Sequence, residues 1–319
     1  MVIRLLAAFA AGLAFAGCAY SQYPARPMKI LPHSNAGSGP DIIARLLAGK
    51  LSEYLGQPVV VENRPGANGN IAGDYVAKSA ADGYTLLVAT DAQFTINPHL
   101  YAKIPFDWNK DLVPVASIAS EVFKLVVTPS VPAKSVAEFI AHARSAGAPL
   151  FYGSGGNGSQ HHLTMELLKG RTGINLSHVP YKGGGAAVTT ALLAGEISAT
   201  IGGAAVDAQV KAGKLRALGV TGPIRSARYP DLPTISETVP GFEMVTWYGL
   251  FAPVATPAEP MARLRAEVGK FLALPETRAK FDTSGPEPWM STPEEFAAII
   301  RRDYEKYGKL VKTLGVRID

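Results

Sequence analysis

The group of residues best suited to bind a ligand is a glycine-rich segment near the middle of the 319-residue chain. It reads Gly153-Ser-Gly-Gly-Asn-Gly-Ser159 and follows a short apolar stretch that ends at Tyr152. A segment with the apolar spacing of a helix comes next. The glycines leave bare main-chain N–H groups at a helix start, which favours an anion. The segment therefore predicts an anion site, to which Ser154, Asn157 and Ser159 add side-chain donors.

The same segment also fits the Gly-x-Gly-x-x-Gly pattern of a dinucleotide-binding loop. That motif needs an acidic residue about 20 positions further on, at the end of the next strand. Here the next predicted strand, residues 174–179, is followed by Pro-Tyr-Lys and has no carboxylate there. The spacing therefore argues against a dinucleotide, and a glycine-rich connection without any ligand remains the plain alternative.

A second loop of similar composition lies near the start of the chain. It reads Pro32-His-Ser-Asn-Ala-Gly-Ser-Gly-Pro-Asp41 and lies between a predicted strand and a long predicted helix. Gly37 and Gly39 allow the main chain to approach a ligand. Asp41 either fixes the loop by accepting local N–H groups or is an ordinary acid in the first turn of the helix.

A third glycine-rich loop, residues 179–186, again joins a strand to a helix. In this loop Lys182 either complements an anion or faces solvent, and Tyr181 either walls the pocket or packs. Thr90 and Gly202 follow two further apolar strands and give weaker signals of the same kind. Three such loops with few acidic residues indicate one small anion, and a carboxylate suits them best.

Catalytic chemistry is harder to assemble from this sequence. It has no Gly-x-Ser-x-Gly elbow and no His-Glu-x-x-His motif. His162 and Glu166 are four residues apart on a predicted helix, but two ligands make a weak metal site. We therefore expect no catalytic residue, no metal and no cofactor. An exported hydrolase that uses Ser154 or Ser159 with His161 remains the alternative from another functional class.

The first 22 residues have the pattern of a secretory signal peptide. They carry one charge, Arg4, and then an apolar run over residues 5–16 that is too short to span a bilayer. The only cysteine, Cys18, lies in a lipoprotein-like cleavage box, and cleavage a few residues later would remove it. We therefore expect export to the periplasm, with a lipid anchor at Cys18 left open.

Composition also limits the class of partner. The formal net charge is +5, and the lysines and arginines are scattered along the chain. A surplus this mild, with no basic run, argues against a nucleic-acid partner. Because the mature chain has no disulfide, its stability must come from one or two apolar cores, for which about 300 residues suffice. We expect a monomer.

Short apolar strands alternate with amphipathic helices along the chain, which predicts an α/β fold with covered, mostly parallel sheets. Two such clusters are joined by extended crossings near residues 120–126 and 243–253. This organisation predicts a hinged protein of two lobes with a ligand cleft between them. The expected boundaries are 1–22 for the signal peptide, 23–122 plus 247–319 for the first lobe, and 123–246 for the second lobe.

Seven ordered segments resemble the Bug-type solute receptors of tripartite tricarboxylate transporters. Two of them are Val61-Glu-Asn-Arg-Pro-Gly-Ala-Asn-Gly69 and Trp247-Tyr-Gly-Leu-Phe-Ala-Pro253. The others span 81–87, 96–101, 153–163, 179–183 and 211–221. The resemblance covers the chain from about residue 23 to its end. It implies a periplasmic-binding-protein fold of the Venus flytrap kind, similar to type II, without enzymatic activity or a cofactor.

The resemblance also implies a function. Such receptors close on a small organic acid, which is a mono-, di- or tricarboxylate, and deliver it to membrane permease subunits. A receptor that feeds a sensor kinase is the alternative. Because of three departures from the family pattern, the ligand of other family members cannot be assigned to this chain. Ser38 replaces a glycine, Ala186 replaces a proline, and no acidic residue stands near Gly202.

The residues that we expect to contact the ligand lie in the three loops and at two strand ends. They are His33, Ser34, Asn35, Gly37, Ser38, Asp41, Thr90, Ser154, Gly155, Gly156, Asn157, Gly158, Ser159, His161, Tyr181, Lys182 and Gly202.

Overall fold

The computed structural model describes residues 23–182, 184–315 and 317. The predicted signal peptide over 1–22, with the predicted lipid anchor at Cys18, lies outside the described residues, as does Gly183 of the third loop. No helix in the described ranges combines the length and the apolar character that a membrane span requires.

In the described part of the chain, eleven strands form two sheets. They are β1 (Met28–Pro32), β2 (Val59–Val61), β3 (Thr85–Thr90), β4 (Leu112–Val122), β5 (Lys124–Val127), β6 (Leu150–Ser154), β7 (Leu176–Pro180), β8 (Ala199–Gly202), β9 (Arg216–Val220), β10 (Val245–Pro253) and β11 (Glu287–Pro288).

The helices alternate with these strands. They are α1 (Gly39–Leu55), α2 (Asn70–Ala77), α3 (Asp91–Thr95), α4 (Asn97–Leu100), α5 (Val136–Ser145), α6 (Gln160–Thr172), α7 (Gly184–Ala194), α8 (Asp207–Lys211), α9 (Ala258–Ala273), α10 (Pro275–Ser284) and α11 (Pro293–Leu314). Short 3₁₀ turns cover Ala67–Gly69, Ala204–Val206 and Ile235–Glu237.

The first sheet has the strand order β11-β4-β10-β3-β1-β2, and the second has the order β7-β6-β8-β5-β9. We call each sheet with its helices a lobe, numbered in the same order. Each lobe has its own apolar core. Ile30, Leu47 and Leu250 belong to a core of the first lobe, and Phe139 and Leu168 belong to the core of the second. The α/β class and the two-lobed architecture predicted from the sequence are therefore confirmed.

The expectation of mostly parallel sheets is wrong. β1 is parallel to β2 and β3, and β6 is parallel to β7 and β8. However, β10 is antiparallel to β3 and β4, β11 is antiparallel to β4, and β5 is antiparallel to β8 and β9. The reason is that the strands next to the lobe crossings run against the strands of the βαβ units, so each sheet is mixed.

Both crossings between the lobes are held at one residue, Thr221. The first crossing passes through Phe123, between β4 and β5, and the second passes through Met244, just before β10. The Phe123 N–H donates to the Thr221 hydroxyl at 2.9 Å, and the Thr221 N–H donates back to the Phe123 carbonyl at 2.9 Å. The Met244 N–H donates to the Thr221 carbonyl at 2.8 Å. The two crossings therefore lie side by side, as a hinge requires.

Candidate functional site

The loop over residues 33–41, which we call loop one, is held in place by Asp41. Its carboxylate accepts hydrogen bonds from the Gly37 N–H at 2.8 Å and from Asn63 Nδ2 at 2.8 Å, and Arg45 Nε lies 3.0 Å away. Burial opposes the ionisation of Asp41, but the donors of Arg45, Gly37 and Asn63 together lower its pKa. The carboxylate is therefore occupied in shaping loop one, which is the first of the two roles that the sequence left open.

The segment over residues 154–159, which we call the glycine-rich turn, is shaped by side chains beneath it. The Ser154 hydroxyl is buried, lies 2.6 Å from His178 Nε2 and donates to the Gly156 carbonyl at 3.0 Å. The Gly158 N–H donates to His162 Nδ1 at 3.1 Å. Gly158 has a φ of +73°, which favours glycine. These contacts fix the turn and leave other N–H groups of the main chain unused.

Each of these loops presents unused N–H groups at the start of a long helix. In loop one, the N–H groups of Gly39 and Asp41 donate to no acceptor in the described ranges. In the glycine-rich turn and the first turn of α6, the same holds among the described residues for the N–H groups of Gly155, Asn157 and His161. α1 and α6 add the positive ends of their helix dipoles. Each lobe thus presents main-chain donors at a helix start, an arrangement that favours anions.

A tyrosine and a glutamate lie between loop one and the loop that follows β8. The Tyr248 hydroxyl donates to Glu121 at 2.7 Å, and it lies 3.0 Å from the position that a Cβ at Gly39 would occupy. The other oxygen of Glu121 lies 2.8 Å from the corresponding position at Gly203. Burial raises the pKa of Glu121. The sequence indicated neither residue, although Glu121 supplies a carboxyl beside Gly203 where the loop itself has none.

The two histidines predicted at the site lie in different lobes. His33 follows β1, and His161 lies in the first turn of α6 with its ring 4.6 Å from that of Phe123. Both Nε2 atoms are buried and have no hydrogen-bond partner among the described residues. Burial lowers the pKa of each histidine to about 4, so both rings are neutral at pH 7.

A buried polar cluster joins the two lobes at the hinge. Gln160 Nε2 donates to Asp91 at 2.6 Å, and the Thr246 hydroxyl lies 2.5 Å from the other carboxyl oxygen of Asp91 and also contacts Gln160 Oε1. Burial raises the pKa of Asp91 to about 8. A protonated Asp91 completes the cluster, because it donates to Thr246, Thr246 donates to Gln160, and Gln160 donates back to Asp91.

We expect this cluster to make stability depend on pH. The folded chain keeps a proton on Asp91 that the unfolded chain releases near pH 4, so the contribution is full below about pH 4 and is lost as pH rises to about 8. The free energy of unfolding should fall between pH 6.5 and 8 by at most about 1.4 kcal/mol per pH unit. Urea unfolding at several pH values measures this slope. The Asp91→Asn variant should lose the slope, and parallel slopes in both proteins would contradict the protonated cluster.

A network of charged side chains surrounds Lys124, the first residue of β5. Lys124, whose side chain is 1% exposed, forms an ion pair with Asp207 and donates to the Tyr229 hydroxyl at 2.7 Å. Arg228 Nε donates to the same hydroxyl at 2.9 Å. A cavity of about 710 Å³ adjoins this network, and its lining includes Lys124, Arg228 and Arg278.

Several predicted site residues have partners within their own lobe. The Ser34 and Ser38 hydroxyls lie 2.5 Å apart. The Ser38 hydroxyl donates to the Asn35 carbonyl at 2.7 Å. The Thr90 hydroxyl donates to Gln93 at 2.8 Å. The Ser159 hydroxyl accepts from the N–H of His162 at 3.3 Å. These hydroxyls fix loops and helix starts.

The remaining predicted residues vary in exposure. Asn157 and Lys182 are exposed, and the Tyr181 hydroxyl lies 3.4 Å from Glu196. Gly156, with a φ of +127°, has open space at its Cβ position, whereas a Cβ at Gly202 would lie 3.0 Å from Val206. Within the described part of the chain, no three acidic, histidine or cysteine side chains are arranged to hold a metal ion.

Known proteins share this architecture. Residues 43–316 match the family described as "Tripartite tricarboxylate transporter family receptor". Protein BugT of Bordetella pertussis is 34% identical over 322 residues, which cover 99% of this chain and 98% of BugT. A solved structure of an R. palustris protein with adipate is 37% identical, has a TM-score of 0.86 and covers 92% of this chain and 99% of that one. MatC from Rhodopseudomonas palustris, solved with malate, is 27% identical, has a TM-score of 0.81 and covers 91% and 100% of the two chains. This chain therefore belongs to the family of tripartite tricarboxylate transporter receptors.

Proposed function

We propose that this protein is a periplasmic receptor that binds a small organic carboxylate between its lobes and delivers it to membrane permease subunits. The observation that carries the proposal is that each lobe has a helix start, at α1 and at α6, with main-chain N–H groups that lack acceptors among the described residues. Relatives solved with adipate and with malate support an acid as the ligand.

In this proposal the main chain of Gly39, Asp41, Gly155 and His161 holds the carboxylate. The side chains of Asp41, Ser154 and Ser159 hold the loops in shape, since each is already engaged by a neighbour. Hydrogen bonds to a charged group contribute about 1.5–3 kcal/mol each. Three or four of them support micromolar binding after the ordering costs of association.

We further propose that the lobes close around the acid by rotation at the two crossings. The moving bodies are residues 23–122 with 247–319 and residues 123–246, and Thr221 links the two crossings. Closure is driven by the higher affinity of the acid for the closed form. Residues 1–22 are the export signal in this proposal, and the exported receptor acts as a monomer.

We propose no catalytic role for the site. A hydrolase would need an accessible serine beside His161, but the Ser154 hydroxyl is buried against His178 and the Ser159 hydroxyl caps α6. The ring of His178 stacks against the rings of Tyr152 and His162, and its Nε2 is engaged by Ser154.

A thermal-shift screen tests the proposal. The purified protein is heated with mono-, di- and tricarboxylates, aromatic acids and amino acids. Each compound is present at about 100 μM, which is about 100 times a dissociation constant of 1 μM. Because an acid that binds only the folded form stabilises it by about 2.7 kcal/mol at that excess, Tm should rise by a few degrees. The matching amides and alcohols, which lack the carboxylate, should give no shift. A folded protein that no acid stabilises would contradict the proposal.

A further inference from the structure

Two buried ring nitrogens in the cleft are unpaired. Nε2 of His33 and Nε2 of His161 have no hydrogen-bond partner among the described residues. Buried polar atoms of native proteins almost always have a partner, so each such atom requires an explanation. One histidine comes from each lobe, which makes a molecule held between the lobes the natural partner.

Contacts between neighbouring residues relate the positions of the two imidazoles. A Cβ at Gly69 would lie 3.1 Å from His33 Cβ and 2.9 Å from Gln93 Cγ, so His33 lies beside Gln93. Gln93 belongs to α3, which begins at Asp91, and Asp91 accepts a hydrogen bond from Gln160 at 2.6 Å. His161 follows Gln160 directly. His33 therefore lies beside α3 of the first lobe, and His161 adjoins the glutamine of the second lobe that contacts α3.

Neither ring has a charged partner. The pKa of both histidines is lowered by burial, to about 4, and no charged neighbour contributes to either value. The titratable groups on the elements around them are paired elsewhere. These groups are Asp91 with Thr246, Glu121 with Tyr248, Lys124 with Asp207, His178 with Ser154, and His162 with the Gly158 N–H.

The tautomer of His33 has a consequence for an anionic ligand. Nε2 is the unpartnered ring nitrogen of His33, and the residue's own main-chain carbonyl raises the pKa of the ring by favouring a proton on the other nitrogen, so we assign the lone pair of the neutral ring to Nε2. A carboxylate oxygen is also an acceptor, and two acceptors repel each other. A carboxylate can therefore approach Nε2 favourably only when that nitrogen carries a proton.

The magnitudes favour protonation in the complex. A pKa that falls from 6.5 to about 4 means that burial disfavours the imidazolium by roughly 300-fold. A carboxylate about 4 Å away favours it by roughly 1,000-fold at the effective dielectric constant of protein sites. An acid held at that distance therefore outweighs the burial penalty.

We propose that His33 and His161 form a proton-accepting subsite, so that a carboxylate ligand binds together with at least one proton taken from solvent onto Nε2. This inference rests on the proposed function and names a property of the same site. The proton moves from water or buffer to the imidazole, and no covalent bond of the acid changes. Binding should consequently strengthen as pH falls.

Isothermal titration of the purified protein tests this, with malate and adipate as probes at pH 6, 7 and 8, each pH in two phosphate-free and carboxylate-free buffers of different ionisation enthalpy. Both probes are mostly dianions at pH 6 and almost fully ionised at pH 7 and 8, so an uptake of about one proton goes to the protein. The difference in heat between the two buffers gives the number of protons. We expect an uptake of about one at pH 6 and an affinity that increases by up to tenfold for each unit that pH falls.

Substitutions locate the proton. His33→Asn and His161→Asn keep a neutral polar group, so at least one of them should lower the uptake to near zero while measurable binding remains. His142→Asn, on α5 in the outer layer of the second lobe, is the matched control and should retain the uptake. Binding without uptake and with the same affinity from pH 6 to 8, or uptake that survives both substitutions, overturns this inference and leaves the proposed function intact. The absence of binding by both probes and every acid of the screen overturns both.

Discussion

Replacing Gly155 with leucine is expected to weaken acid binding by at least about 100-fold while the protein stays folded. A Cβ at Gly155 would lie 3.6 Å from Gly184 Cα and 3.9 Å from His161 Nδ1, which are ordinary contact distances. The rest of the leucine side chain then fills the space beside the unused N–H groups. Losing two charge-assisted hydrogen bonds accounts for at least that loss of affinity. Titration calorimetry with the acid found in the screen measures the change.

The matched control is Gly147→Leu. Gly147 is exposed, lies between α5 and β6 and has open space at its Cβ position. This variant should bind the acid as the unsubstituted protein does, and both variants should melt within a few degrees of it. Unchanged affinity in Gly155→Leu would remove the glycine-rich turn from the binding site.

Removing Asp207 from its ion pair with Lys124 is expected to lower the free energy of unfolding much more than removing Lys124 does. Asp207→Ala leaves Lys124, with 1% of its side chain exposed, without its carboxylate partner. Removing one partner from a buried pair costs about 3–5 kcal/mol, because the other charge stays buried and uncompensated. The side chain of Asp207 is 27% exposed and keeps the Tyr229 hydroxyl at 2.8 Å, so Lys124→Met should cost only about 1 kcal/mol.

Urea unfolding of both single variants and of the double variant measures this asymmetry. We expect the double variant to be more stable than Asp207→Ala alone, since it has no buried lysine left to compensate. Equal costs for the two single variants, or a double variant that is the least stable of the three, would contradict the account of Lys124.

Local patterns were sufficient to predict many of the elements. The apolar run at 28–32 forms β1, and the stretch at 293–314 forms α11, whose start carries a clear signal in the Thr292 capping box. Strand β4 was not predicted, because Pro114 and two serines interrupt its apolar run. Helices α3 and α4 have five and four residues, which is too short for a helical period to show.

Pairing between distant segments could not be predicted in the same way. The sequence marks the glycine-rich turn, but the contact of Ser154 with His178 depends on the parallel register of β6 and β7. The sequence offered no partner for His178. Glu121 lies in a stretch predicted only as a crossing, and its partner Tyr248 is 127 positions away. Glu121 and Tyr248 become candidate site residues only when the fold brings the two crossings together.

The most direct test of the central claim is a crystal structure of the protein with the acid that stabilises it most in the screen. We expect the carboxylate oxygens within about 3.2 Å of the N–H nitrogens of Gly155 or His161 in one lobe and of Gly39 or Asp41 in the other. An acid bound instead in the cavity beside Lys124 and Arg278, with nothing held between the two helix starts, would contradict the account.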